Sequence, residues 1–505
     1  MEPLLASGPS HIPPASLHRL ASGLSAPNSA PFRMDTPLPH QSQTPSRSFG
    51  DELRQLLRLG APIAVAQLGL TSLNFVDLAM LGHYDETALP AMALGNTLVW
   101  IASMFCMGAL AAVDPLLAQA IGAGDRAAIP RVLGRGLLLA VLLSIPAALL
   151  VLPAAQWLAL ADQPAELIPA AADYARWQVL AILPFLWFTT CRSALSANAR
   201  LWPQVTTIVG GNLANALLDW ILIFGKFGAP AMGAHGAAIA TVLCRWLMLA
   251  GLVAFGWRDL GPALLALRDG AVRRAAFALG PLLRLLRMGA PIGAQFLLEM
   301  GVFAAVALLI GAIDQESGDG AAGPRVAGHQ VALQLASLSF MVPLGLAMAA
   351  SVRVGWAIGR GDGMAAARAA HAALALAAAV MTGFMLLFLL APGLLAHALT
   401  DQPRHLEHAL ALIPIAGVFQ IGDGVQVVAI GCLRGLGDVR SPLWANVVGF
   451  WALGLPLGCA LAFGLGYGPQ GLWWGLVLGL FVVAGALLYV LHRRLGERRQ
   501  RLTVD

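Results

Sequence analysis

The chain has 505 residues, of which 58% are hydrophobic and only 11% charged, whereas a soluble globular domain carries about 25% charged residues. That balance excludes a soluble globular protein and makes the bilayer the solvent. The formal charge of +5 is distributed as an orientation signal, so no nucleic-acid partner is read from it.

In chain order, the first fifty residues are rich in Pro and Ser, lack an apolar stretch, and show neither the h-region of a secretory signal nor a core of their own. They are expected to be a disordered tail. Runs of about 20 apolar residues, the length that crosses a bilayer as a helix, then follow at 56–81, 88–113, 132–153, 168–190, 203–225, 235–256, 284–311, 326–350, 368–391, 409–431, 442–464 and 471–491. Six fall in each half, giving an N-lobe over 51–256 and a C-lobe over 284–491, with a basic tail over 492–505. Between the halves, 257–283 mixes Arg268, Arg273 and Arg274 with Leu, Ala and Phe, which reads as an amphipathic linker on the inner membrane face or as a plain solvated connector. Cys106, Cys191, Cys244, Cys432 and Cys459 lie in or beside spans without ligand spacing and read as packing residues.

The halves repeat each other. LLRLGAPI from Leu56 returns as LLRMGAPI from Leu285, and AIGAGD over Ala120–Asp125 returns as AIGRGD over Ala357–Asp362, in similar register. Parallel repeats of several spans are a known way to build a transporter, because two similar bundles can rock against each other around a site between them. The predicted fold is therefore an all-α polytopic membrane protein of twelve helices in two pseudo-symmetric six-helix lobes.

Every second connection is basic. Arg126, Arg131, Arg200, Arg258, Arg268, Arg273, Arg274, Arg284, Arg287, Arg360, Arg434, Arg440, Arg493, Arg494, Arg498, Arg499 and Arg501 share one side. The other side holds Asp85, Glu86, Asp162, Glu166, Asp314, Glu316, Asp319, Asp401 and Glu407, with Lys226, Arg325 and Arg404 as exceptions. Since cytoplasmic loops carry the excess of Lys and Arg, both termini are expected to be cytoplasmic.

A carboxylate at the centre of a membrane helix costs roughly 2.5 to 3.5 kcal/mol on insertion scales, so one that persists is a functional candidate. Four stand out: Asp77, Asp219, Glu299 and Asp423. Asp77 lies 19 residues beyond Arg58 and Asp219 lies 19 beyond Arg200, which puts both at one level in the outer half. Glu299 lies 12 beyond Arg287 and Asp423 lies 11 before Arg434, near the midplane. Asn215 and Asp219, four apart, share a helix face. With Asp77, and with the hydroxyl of Thr241 on the next span, they make an oxygen-rich nest suited to Na⁺ or a proton, the alternative being inert polar glue between helices. Glu299 falls opposite Leu70 and Asp77 opposite Val306 when the halves are aligned. A requirement of the repeat fold should appear in both copies, so the asymmetry favours function over packing.

Other positions read more plainly. Asp114, just before Pro115, is read as a helix-end residue, with gating as the alternative. Arg192 and Arg353 are expected to snorkel to the inner interface. His83, His397, His405 and His408 fall in outer connections without paired ligand geometry. Pro62, Pro146, Pro184, Pro343, Pro414 and Pro456 sit in or at the ends of spans. Pro62, on the helix of Asp77, either bends that helix or merely starts it.

These residues resemble the multidrug and toxic compound extrusion (MATE) transporters, within them the bacterial NorM-like branch. The resemblance covers about Arg54 to Arg494 and rests on the doubled GAPI openings, FVDLAMLG over Phe75–Gly82, NALLDW over Asn215–Trp220, SVRVGWAIGRGD over Ser351–Asp362 and DGVQVVAIGCLRGLGDVRSP over Asp423–Pro442. It implies two lobes around a central cavity, alternating access, and export of amphipathic organic cations in exchange for inward Na⁺ or H⁺. By the same likeness Asp77, Asn215 and Asp219 match the N-lobe cation site, and Glu299 and Asp423 match the acidic C-lobe positions. Where relatives can carry a tyrosine one turn before the aspartate of the tenth span, this chain has Phe419, so a phenolic ligand is absent there.

The expectation is thus a non-enzymatic antiporter of the bacterial inner membrane, monomeric, without a cofactor, whose partners are organic cations, the coupling ion and the bilayer. The main rival is a flippase for lipid-linked precursors or polysaccharides. It would want arginines in the cavity, whereas the sequence places its deep charges as acids and its arginines at the inner edge. An intramembrane enzyme would need a nucleophile and base or a metal set, and no HExxH, CxxC or GxSxG motif is present.

Overall fold

A backbone inside hydrocarbon must satisfy every N–H and C=O within its own segment, so long apolar runs become helices, and in the computed structural model all twelve do. It describes residues 48–82, 88–318, 320, 323–497 and 501–502. The tail expected over residues 1–50 lies outside them up to residue 47, and its last two residues, Phe49 and Gly50, are instead the first turn of a helix; His83, Asp85, Glu86, Asp319, Arg498 and Arg499 lie outside them as well. The spanning helices are α1 Phe49–Gly82, α2 Pro90–Gly122, α3 Ala128–Val151, α4 Ile168–Ala197, α5 Trp202–Phe224, α6 Gly233–Phe255, α7 Leu279–Glu316, α8 Pro324–Gly359, α9 Gly363–Leu390, α10 Pro403–Gly435, α11 Arg440–Gly464 and α12 Gly468–Gly496. A turn at Ala111 and Ala112 interrupts α2, and α11 is π-helical over Val447–Gly454 and Ala460–Gly464 on either side of Pro456. Two short helices, Trp257–Ala266 and Gly270–Ala276, join the halves.

Several helices run one to three turns past their apolar cores at the basic end, and this corrects four readings. Arg434 belongs to the last turn of α10 and not to a connection. Arg353, 3% exposed, does not snorkel: it reaches Glu52 on α1 at 2.7 and 2.8 Å. Arg192, 8% exposed, donates to the side-chain oxygen of Gln67 on α1. Pro62 cannot start its helix, because α1 begins at Phe49.

The lobes meet through a pseudo-symmetric set of crossings. Helix α1 packs on α8 as α7 packs on α2, the first helix of each lobe lying on the second of the other. The repeated motifs stand at these crossings. At Gly289, the glycine of the second GAPI, a Cβ would overlap the carbonyl oxygen of Ala109 on α2, while at Gly60, the glycine of the first, it would stand 2.8 Å from Cδ2 of Leu346 on α8. The other repeated pair ends α2 and α8. Gly124 and Gly361 take positive φ (70° and 75°), and Asp125 and Asp362 then accept from the backbone N–H of Ala128 (3.1 Å) and Ala365 (2.9 Å), capping the next helix.

Hydrogen bonds across the lobes collect on the basic side. Besides Glu52–Arg353, Gln119 on α2 donates to the Gly435 carbonyl (2.9 Å), Trp356 donates to the Ala197 carbonyl (3.0 Å), and Arg501 reaches Asp125 (2.8 Å). The crossing nearest the middle of the helices is from the Thr71 hydroxyl to Sδ of Met341, at 3.4 Å.

Candidate functional site

Three helices of the N-lobe bring its singled-out residues together. Asp77 on α1 is 2% exposed, and Asn215 and Asp219 on α5 are 1% and 0% exposed. Thr241 on α6 donates its hydroxyl to Oδ2 of Asp77 at 3.1 Å. Asn215 and Asp219 stand close enough to Asp77 to interact with it, yet the Thr241 hydroxyl makes the one contact of normal hydrogen-bond geometry. Oδ1 of Asp77, both carboxylate oxygens of Asp219 and both polar atoms of Asn215 are buried without a partner. A buried polar atom left unpaired costs about 1–3 kcal/mol, and a charged one more. These atoms are therefore the ones in the cluster able to take a further partner. The cluster's oxygens, hard and converging from three helices, fit a proton or a small alkali cation and not a soft metal.

Arg245, which hydropathy alone does not mark, belongs beside this cluster. It lies at the middle of α6, one turn beyond Thr241, with its guanidinium 4.5 Å over the Phe185 ring and within electrostatic reach of Asp77 and Tyr174. Tyr174, also unmarked, accepts from Gln178 at 3.1 Å. The i, i+4 spacing of Thr241 and Arg245 was the available signal. Arg245 corrects the reading that all arginines collect at the inner edge.

In the C-lobe, Glu299 on α7 accepts from the side-chain amides of Gln426 on α10 (3.1 Å) and Asn446 on α11 (3.4 Å). Asp423, 7% exposed and three residues before Gln426, interacts with Glu299 electrostatically. One turn from each acid on its own helix stand Phe303 and Phe419, packed edge to face with centroids 6.1 Å apart. Phe419 also packs on Trp473, whose indole N–H donates to Nδ1 of the buried His329 (3.1 Å). His329 was not singled out, because a lone histidine in an apolar run carries no spacing signal. Arg434, over the Phe296 ring at 5.3 Å and 3.4 Å from the Gln295 side-chain oxygen, interacts with both Glu299 and Asp114.

Asp114 thus lies where Arg192 of one lobe and Arg434 of the other converge, just after the break in α2. It stands in the first turn of the helical segment Val113–Gly122, as the helix-end reading expects. Asp314, expected in a loop, is fully buried at the end of α7 and caps α8 by accepting from the backbone N–H groups of Arg325 (3.3 Å) and Val326 (2.9 Å). Among the described residues no group of three or more His, Cys, Asp and Glu is arranged to hold a metal.

Residues 62–221 and 291–459 match the model of the MatE family. Over 470 residues the chain is 35% identical to the "Probable multidrug resistance protein NorM" of Mesorhizobium japonicum, covering 88% of this chain and 95% of that one. It is 36% identical to the like-named protein of Bradyrhizobium diazoefficiens, covering 91% and 97%. In fold it is similar to a crystal structure of the eukaryotic MATE transporter AtDTX14, with a TM-score of 0.78 at 21% identity over 89% of this chain and 99% of that one.

Proposed function

As the chain belongs to the MatE family, we propose that it exports amphipathic organic cations from the cell by alternating access, driven by inward Na⁺ or H⁺. Members of this family are transporters and not enzymes. The observation that carries the coupling is the set of buried oxygens on Asp77, Asn215 and Asp219 that lack partners within the protein.

Charge counting gives the cluster its sign. Two ionised carboxylates and the nearby Arg245 leave one net negative charge, which a single proton or Na⁺ cancels. Taking up that ion removes the desolvation cost of the unpaired charge, so occupancy has a free-energy consequence that a lobe rearrangement can use. Asp77, Asn215, Asp219 and Thr241 hold the coupling ion in this reading.

The C-lobe suits the cargo. Glu299 and Asp423 with Arg434 again leave one net negative charge, and the rings of Phe303 and Phe419 stand one turn away on the same two helices. A carboxylate pair beside an aromatic pair is what a monovalent organic cation with an apolar body needs. Antiport then requires only that ion and cargo favour opposite lobe arrangements. Arg245 and Arg434 would also serve a flippase binding phosphate, but each lies beside carboxylates, so the net field of both sites favours cations. The alternation of basic and acidic connections supports an inner-membrane location with both termini cytoplasmic, and the function needs only a monomer.

Vesicle efflux tests the reading. Ethidium release should follow an imposed ion gradient, either Na⁺ or pH, and cells lacking their own pumps should gain ethidium resistance from this chain. Asp77→Asn, Asp219→Asn, Glu299→Gln and Asp423→Asn should each abolish it at normal membrane expression. Undiminished efflux in all four would remove both site assignments.

A further inference from the structure

A cavity of about 420 Å³ opens at the basic ends of the helices, outside both acidic sites. Five arginines line it: Arg135 from the N-lobe, and Arg284, Arg287, Arg440 and Arg494 from α7, α11 and α12. One carboxylate, Asp438, lines it with them. That carboxylate is engaged already, accepting from Arg494 at 2.9 Å and from the backbone N–H (3.1 Å) and hydroxyl (2.9 Å) of Ser441. Arg494 also reaches Glu497 at 3.2 Å, outside the lining. Arg135 is 3% exposed and fixed in place by donating to the carbonyls of Ala275 (2.8 Å) and Ala276 (3.2 Å) in the linker. The remaining wall is apolar, with Leu285, Met288 and Val439.

We propose that this cavity is a binding site for a phosphate-bearing anion, the headgroup of an anionic phospholipid, held between the lobes. A cluster of guanidinium groups over an apolar wall matches a phosphodiester with the start of its acyl chains, and basic pockets between helices at the headgroup level bind such lipids. Arg287 and Arg440 supply the excess positive charge at the mouth, and Arg135 adds the field of the N-lobe. Because Arg135 comes from one lobe and the others from the second, a bound headgroup ties the lobes together on the basic side and favours the arrangement in which that side is closed. The cavity lining includes no residue of either acidic site, and binding there is independent of the coupling ion.

The test uses the full chain in nanodiscs of phosphatidylcholine, with and without phosphatidylglycerol, reading thermal unfolding and, by native mass spectrometry, lipid retained on the protein. Phosphatidylglycerol should raise the melting temperature and remain bound. Each of Arg284→Gln, Arg287→Gln and Arg440→Gln should weaken retention about fivefold, since a basic residue near the headgroups is worth about 1 kcal/mol. The triple variant should lose the shift while melting normally in phosphatidylcholine. If the triple variant does not fold, the single variants carry the comparison. Inorganic phosphate alone, in phosphatidylcholine discs, is the other arm: an arginine-dependent rise there would make free phosphate the ligand, overturning the headgroup assignment. No phosphatidylglycerol effect in the wild type, or one that survives all the substitutions, would overturn the site itself.

Discussion

At the scale of single residues, the N-lobe cluster is held by very few bonds. The single proton of the Thr241 hydroxyl is shared between Asp77 and the Ala237 carbonyl at 2.9 Å, so it orients one carboxylate oxygen only in part and leaves the other buried and unpaired. Thr241→Val keeps the shape and removes the donor. Efflux should then fall several-fold without being lost, with a changed dependence on Na⁺ or pH and normal expression. Arg245→Gln makes a sharper case. Without the guanidinium the carboxylate pair carries two negative charges in place of one, so the site should hold its coupling ion more tightly and release it more slowly. Turnover should drop while ion affinity rises, and a variant that merely misfolds would lose both.

At the scale of helices, the crossings depend on residues without side chains. In lipid there is no hydrophobic drive between helices, so close approach through small residues supplies the packing. A Cβ at Gly289 meets the rigid carbonyl of Ala109, whereas one at Gly60 meets the end of a leucine side chain. Gly289→Ala should therefore lower stability by about 1–3 kcal/mol, the usual cost of overpacking, and Gly60→Ala by less, because Leu346 can change rotamer. Gly383 on α9, with open space around its Cβ position, is the control, and Gly383→Ala should be neutral or stabilising. Thermal melts of the three purified variants decide the order.

At the scale of the whole molecule, the basic side is latched by buried charge. Glu52 and Arg353 are 0% and 3% exposed and belong to opposite lobes. Removing one partner of such a pair costs about 3–5 kcal/mol, while replacing both by apolar residues is often neutral. Glu52→Gln should thus open the basic side, seen as increased labelling of a cysteine introduced at Ala64, which the lobe crossing buries against Gly345. Glu52→Leu combined with Arg353→Leu, which makes both positions apolar, should restore much of the closed state. The outer latch, Arg501 on Asp125, is weaker. Partial burial alone would raise the Asp125 carboxyl, but the hydrogen bonds from Arg501 and the Ala128 N–H and the charges of Arg501 and Arg131 outweigh it and hold the group below its ordinary value of 3.8. A lowered carboxylate stabilises the folded state above its unfolded pKa and loses that contribution as pH falls through the folded value. This contact is therefore intact throughout the neutral range and plays no part in any pH dependence of transport there.

The sequence alone determined the number of spans, their division into two repeats, the alternation of basic and acidic connections, and the four deep carboxylates. Each is local: span length follows from bilayer thickness, and a charge within twenty apolar residues is visible wherever the helix ends up. The meaning of the repeated motifs was not local. Gly289 and Asp125 could be seen to recur, but only the crossing of α7 on α2 and the turn after α2 show that one permits helix contact and the other caps a helix. The same holds for Arg192, Arg245, Arg353 and Arg434, which a hydropathy reading assigns to the interface or passes over. A long guanidinium side chain takes its role from whichever helix packs beside it, and that neighbour, Gln67, Phe185, Glu52 or Phe296, comes from a distant part of the chain.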